Sequence, residues 1–127
     1  MPEEPDSICI VDDDASVRNS IEQLLDSDCL KAQTFESGED FLAYAESHAV
    51  RLALLDVWMP NKSGLEVQAR LQVMSPSTKV IVMTGRQIPA IRAAALEGGA
   101  FAFVMKPFDD ETFLSLVRRA LGADAEE

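Results

Sequence analysis

Four apolar runs of strand length recur along the chain, and each one stops at a polar side chain. Ile8-Cys9-Ile10-Val11 runs into Asp12-Asp13-Asp14, Leu52-Ala53-Leu54-Leu55 into Asp56, Val80-Ile81-Val82-Met83 into Thr84, and Phe103-Val104-Met105 into Lys106-Pro107. Helix-like stretches separate them, and that alternation predicts an α/β architecture. The run 52–55 is apolar at every position, as a central parallel strand covered by helices on both faces must be.

The remaining elements follow from periodicity and from capping residues. The first strand, about Ser7 to Val11, is followed by a helix with Val17, Ile21, Leu24 and Leu25 on one face, capped by Asp14. A weak second strand spans Lys31 to Phe35; Ser37 then caps a helix that turns Phe41, Leu42 and Ala45 inward, with Asp40 in a capping arrangement. After the third strand, a loop through Pro60 and Gly64 leads to a helix over about Leu65 to Met74, stopped before Pro76. Lys79 to Met83 forms the fourth strand, and Pro89 to Glu97 a helix closed by Gly98-Gly99. Ala102 to Met105 is the fifth strand, and a helix from about Asp110 to Leu121, capped by Asp109, buries Phe113, Leu114, Val117 and Leu121.

Five strands joined by helical crossovers point to an open parallel sheet, because each crossover must be right-handed; the expected form is the doubly wound, flavodoxin-like α/β sheet of five strands in the order 2-1-3-4-5, flanked by five helices. Ligands bind such sheets at the carboxyl ends of the strands, where the winding direction reverses. Here that point lies between the first and third strands, so Asp12, Asp13 and Asp56 are expected to meet. The 127 residues suit one domain, read as 1–122 with an acidic tail or linker start over 123–127.

Charge excludes some functions. With 22 acidic against 11 basic residues the formal charge is −11, which disfavours contact with nucleic acid or anionic membrane. The apolar runs are too short to span a bilayer, the N-terminus lacks a signal-peptide core, and Cys9 and Cys29 make no framework. The chain is expected to be cytoplasmic.

Three neighbouring carboxylates repel strongly, about 4 kcal/mol per pair at ~4 Å and an effective dielectric near 20. They must take up protons or hold a cation, and adjacent hard oxygens with room for water suit Mg²⁺. A carboxylate can also be the nucleophile that accepts a phosphoryl group. Its product needs donors and counter-charge, which Lys106 and Thr84 supply. Taken singly, each of these residues reads as an ordinary loop or cap residue; together, at four strand ends, they form a site. Two other readings use similar parts. A phosphatase of the haloacid-dehalogenase type needs a second acid two residues after its nucleophile, where this chain has Trp58. A flavodoxin-like flavin module needs a Ser/Thr/Gly phosphate loop where this chain has three aspartates.

From Ser7 to Leu121 the sequence resembles the receiver domains of two-component response regulators. The resemblance is carried by Ile10-Val11-Asp12-Asp13-Asp14, Leu55-Asp56-Val57-Trp58-Met59-Pro60, Ser63-Gly64, Met83-Thr84-Gly85, Gly99-Ala100 and Lys106-Pro107-Phe108. It implies that Asp56 is the phosphorylated residue, and that Asp13, Asp12 through water, Asp56 and the Trp58 carbonyl hold Mg²⁺. It implies that Thr84 and Lys106 contact the phosphoryl group, that Phe103 is the switch aromatic with Thr84, and that the Lys106–Pro107 bond is cis. A histidine kinase is the implied phosphodonor, and an output domain or downstream protein the implied partner. The face made by the fourth helix, fifth strand and fifth helix, near Pro89, Ile91, Ala95 and Phe101, is the implied dimerisation surface. Such a domain is a switch, an enzyme only in phosphorylating and dephosphorylating itself. The large Trp58 is expected to cover part of the phosphoryl pocket.

Overall fold

The computed structural model describes residues 7–59, 63–86 and 88–122. The expected tail over 123–127 and the loop residue Pro60 lie outside them. Its elements are β1 (Ile8–Val11), α1 (Ala15–Ser27), β2 (Ala32–Phe35), α2 (Gly38–Ala45), β3 (Leu52–Asp56), α3 (Gly64–Met74), β4 (Lys79–Thr84), α4 (Pro89–Glu97), β5 (Ala102–Met105) and α5 (Asp110–Ala120). All strand pairs are parallel and the order is β2-β1-β3-β4-β5, as the sequence predicts.

The apolar strands supply two cores because successive side chains in a strand point to opposite faces. Cys9, Val11, Ala53, Leu55, Val80 and Val82 pack with Phe41, Leu42, Val67, Leu71 and Ala95 of α2, α3 and α4. Ile8, Ile10, Leu52, Leu54, Ile81 and Met83 pack on the other face with Ile21 and Leu25 of α1 and Phe113, Leu114 and Val117 of α5. At the edges β2 and β5 are only partly covered, which explains why β2 has the weakest apolar pattern.

Caps fix where the helices begin. The Asp14 carboxylate accepts the amides of Ser16 and Val17, and the Ser37 hydroxyl accepts the amide of Asp40. The reciprocal box, which the sequence reading did not anticipate, is at the start of α3: Ser63 Oγ accepts Glu66 N–H while the Glu66 carboxylate accepts Ser63 N–H. Helix α4 has Ile88 as its N-cap and no side-chain cap bond, and it fully buries only Ala95. Of the two glycines closing α4, Gly99 alone takes a positive φ, 98°.

Two strand ends differ from expectation. Asp56 and Thr84 are the last residues of β3 and β4, each in register with a neighbouring strand, Asp56 with Met83 and Thr84 with Met105. The sequence reading sets Asp56 and Thr84 at the strand tips and stops the paired strands one residue earlier, at Leu55 and Met83. Pairing within the sheet fixes the backbones of Asp56 and Thr84 to the rigid part of the molecule.

Candidate functional site

Register brings the acidic residues together. Val11 of β1 pairs with Leu55 of β3, so the next residues, Asp12 and Asp56, emerge side by side from the two central strands. Both are buried. Asp13, on the exposed side of the same turn, completes the cluster, with carboxylate oxygens of Asp12, Asp13 and Asp56 all within 4.8 Å of one another. Lys106, the first residue after β5, reaches across the strand ends and places Nζ 2.9 Å from Asp12 Oδ2 and 2.9 Å from Asp56 Oδ1. The Lys106–Pro107 peptide is cis, as the resemblance implied, and Lys106 N–H donates to the Thr84 carbonyl at 2.8 Å.

These contacts set the protonation of the site. Burial pushes the Asp56 carboxyl up to about 6; the Lys106 hydrogen bond opposes that shift, and the negative charges of Asp12 and Asp13 add to it. For Lys106, burial works against the charged ammonium, but hydrogen bonds and attraction from Asp56 and Asp12 outweigh it, and the pKa lies above its ordinary value. One ammonium thus faces three carboxylates, which leaves room for further positive charge.

The backbone around Asp56 is tightly built. The Asp14 amide donates to Asp12 Oδ1 at 2.9 Å, and Arg18 Nη1 donates to the Asp12 carbonyl at 2.7 Å, tying the acidic turn to the first turns of α1. Gly64, at the start of α3, lies so close to β3 that a Cβ there would fall 2.3 Å from the Asp56 carbonyl oxygen. Only glycine fits that approach.

Thr84 is fully buried, and its hydroxyl bonds to Trp58 Nε1 at 2.8 Å and to the Arg86 amide at 3.0 Å. Trp58 is 41% exposed, and the Arg86 guanidinium lies 4.9 Å from its ring centroid. Arg86 and Arg18 had no part in the site as read from sequence. Their only signal was proximity to Thr84 and to the acidic run. Phe103 lies on β5, partly buried against the core formed with α2, α3 and α4. On the face expected for dimerisation, Ala95 is buried in the core, Ile91 and Phe101 are partly buried and Pro89 is exposed; the large apolar side chains exposed in or next to α4 are Ile88 and Leu96. The buried Cys9 thiol is pushed up to about 12 by burial, and His48 is an exposed residue stacked on Tyr44 at 3.9 Å.

Comparison with known proteins bears on this arrangement directly. The family model for the response regulator receiver domain matches residues 8–118. The chain belongs to the response regulator receiver domain family. Among curated relatives, the receiver domain is 37% identical over 120 residues to the transcriptional regulatory protein TdiR of Thauera aromatica, covering 94% of this chain and 53% of TdiR. The chain therefore spans about half the length of that relative. Among solved structures, it resembles a CheY-like receiver domain protein from Methanospirillum hungatei JF-1, with a TM-score of 0.89, 27% identity, and coverage of 95% of this chain and 97% of that one. It also resembles the beryllofluoride-activated NtrC4 receiver domain dimer, with a TM-score of 0.86, 28% identity, and coverage of 91% and 96%. The receiver fold and the two-component signalling class are thereby shown, and neither the phosphatase nor the flavin-module reading is favoured. Among the described residues, no helix is long and apolar enough to cross a membrane.

Proposed function

We propose that this receiver domain takes a phosphoryl group on Asp56 from a histidine kinase, or from a small acyl phosphate, and holds it as a signal. The observation that carries this reading is the buried Asp56 carboxylate bridged to Asp12 through Lys106, with Asp13 alongside. A nucleophilic Asp56 oxygen forms a bond to phosphorus as the bond from phosphorus to the donor's nitrogen or carboxylate oxygen breaks. Lys106 already contacts the attacking carboxylate, so its ammonium is in place to follow the charge onto the phosphoryl oxygens. Thr84, one residue beyond the Asp56 pairing line on the neighbouring strand, supplies the hydroxyl for a second oxygen. Hydrolysis by water resets the site, and the domain catalyses both steps only on itself.

The donor set suits a hard divalent cation: clustered carboxylate oxygens with one exposed member open to water. Asp12, Asp13, Asp56 and the Trp58 carbonyl would hold Mg²⁺, which, when bound, supplies charge neutralisation for the incoming phosphoryl group. The domain's own residues set the rest. Asp12 and Asp56 keep Lys106 between them, and the close packing of Gly64 holds the Asp56 backbone still.

Phosphorylation then shifts a pre-existing equilibrium between two states of the β4–α4 and β5 region, with Thr84 and Phe103 as the moving side chains. A shift from 1:99 to 99:1 takes about 5.5 kcal/mol of differential interaction. Among the helices, α4 has the fewest buried residues and no side-chain cap bond, and so is the least tied down for such a change. The readout is dimerisation through the α4–β5–α5 face or contact with an output domain, in keeping with the dimer of the similar NtrC4 receiver domain and the regulatory role in TdiR's name. The expected site of action is the cytoplasm, where histidine kinases present their phosphoryl groups.

Incubation with acetyl phosphate and Mg²⁺, followed by intact-mass measurement, tests the proposal. One added phosphoryl group in the wild type, absent from Asp56→Asn, is the expected result. Equal labelling of the two proteins sinks it.

A further inference from the structure

The Thr84 hydroxyl has one proton to give and two lone pairs to accept with, and all three are in use. Trp58 Nε1–H donates to it at 2.8 Å, the Arg86 backbone N–H donates at 3.0 Å, and its own proton goes to the Arg86 carbonyl at 3.2 Å. The Arg86 guanidinium in turn lies 4.9 Å from the centroid of the Trp58 ring. Among the described residues Trp58 is one of four large apolar side chains left exposed, and these contacts fasten its indole to the loop after β4. The three residues come from the end of β4 and the loops after β3 and β4, and they close on one another.

We infer that Trp58 and Arg86 are positioning residues that latch Thr84 in the unphosphorylated state, so that taking up a phosphoryl group requires the latch to open. This rests on Asp56 being the phosphoacceptor. A hydroxyl whose single proton is committed to the Arg86 carbonyl cannot donate it to a phosphoryl oxygen. To do so it must turn away from that carbonyl, and the Trp58 N–H must find water or another acceptor. The latch therefore draws on the same interactions that phosphorylation uses to switch the domain. A binding-competent state populated only in part weakens the apparent affinity for the ligand by that fraction. Arg86 acts on Thr84 directly through its backbone and indirectly through the Trp58 ring, whereas Trp58 acts through a single N–H.

The discriminating variant is Trp58→Phe, which keeps an aromatic face for Arg86 and removes the N–H. Binding of beryllofluoride in the presence of Mg²⁺, followed by ¹⁹F NMR, reads the switch equilibrium without turnover. Trp58→Phe should reach half-saturation at a beryllofluoride concentration about three- to tenfold lower than the wild type, the range expected for loss of one ordinary hydrogen bond. Arg86→Ala should shift it in the same direction by less. In a Thr84→Ala background, Trp58→Phe should have no further effect, because the latch acts only through that hydroxyl. A half-saturation point for Trp58→Phe within twofold of the wild type overturns the inference. So does an equal change in the Thr84→Ala background, which would mark Trp58 as a mere cover on the pocket. Should Thr84→Ala fail to fold, the comparison of wild type, Trp58→Phe and Arg86→Ala decides alone. Failure of the underlying reading looks different: the wild type itself would bind beryllofluoride no better than Asp56→Asn.

Discussion

The proposed nucleophile, Asp56, is buried beside two other carboxylates, and that setting is visible in its ionisation. Its folded pKa, about 6, is above the ordinary 3.8, so folding favours the protonated form. The stability this gives is fully present below about 3.8 and is lost as the pH rises through about 6, leaving the ionised site costing about 3 kcal/mol at neutral pH. Asp56→Asn should therefore be more stable than the wild type at neutral pH, by about 1 to 3 kcal/mol in urea unfolding, and the gap should close as the pH falls from about 6 toward 4. A gap that widens on acidification would show that the Lys106 pairing, not burial, dominates this carboxylate.

The elements explain why the site is so exact in its placement. Strand pairing sets Asp12 beside Asp56, and α3 approaches the end of β3 so closely that Gly64 has no room for a Cβ. Gly64→Ala should cost about 1 to 3 kcal/mol in denaturant unfolding, the usual range for overpacking, because the obstacle is backbone and cannot rotate aside. It should also slow acetyl phosphate labelling of Asp56, since relief comes only by moving the β3 end or the start of α3. The sequence reading found Ser63-Gly64 as part of a family pattern but gave no reason for the glycine. That reason is a contact between elements, invisible to any local rule. Similarly, caps at Asp14, Ser37 and Asp109 were legible because a short polar side chain meets amides two or three residues on. The Trp58–Thr84 bond joins residues 26 positions apart, and no periodicity announces it.

At the scale of the molecule, two cores clamp a sheet whose carboxyl ends carry concentrated negative charge. A divalent cation that binds only the folded site stabilises it by mass action, by about 2.7 kcal/mol when present at a hundredfold over its Kd. Millimolar Mg²⁺ should raise the thermal midpoint by several degrees, with the gain lost in Asp13→Asn; an equal gain in that variant would locate the effect in the general acidic surface instead. The exposed Asp13 is the suitable variant because its removal leaves the buried pair Asp12 and Asp56 with Lys106 intact.

The alternation of strands and helices, the parallel sheet and the four polar strand ends of the candidate site are legible in the chain alone. Short apolar runs, turn residues and the right-handed crossover rule act locally or topologically, and they need no side-chain detail. Tertiary structure decided the electrostatics and the locks: how far burial raises the Asp56 carboxyl, how Lys106 divides itself between two aspartates, and how Trp58 and Arg86 occupy the Thr84 hydroxyl. Those depend on distances of about 3 Å between residues far apart in the chain, and hydrogen bonding and desolvation change steeply over such distances.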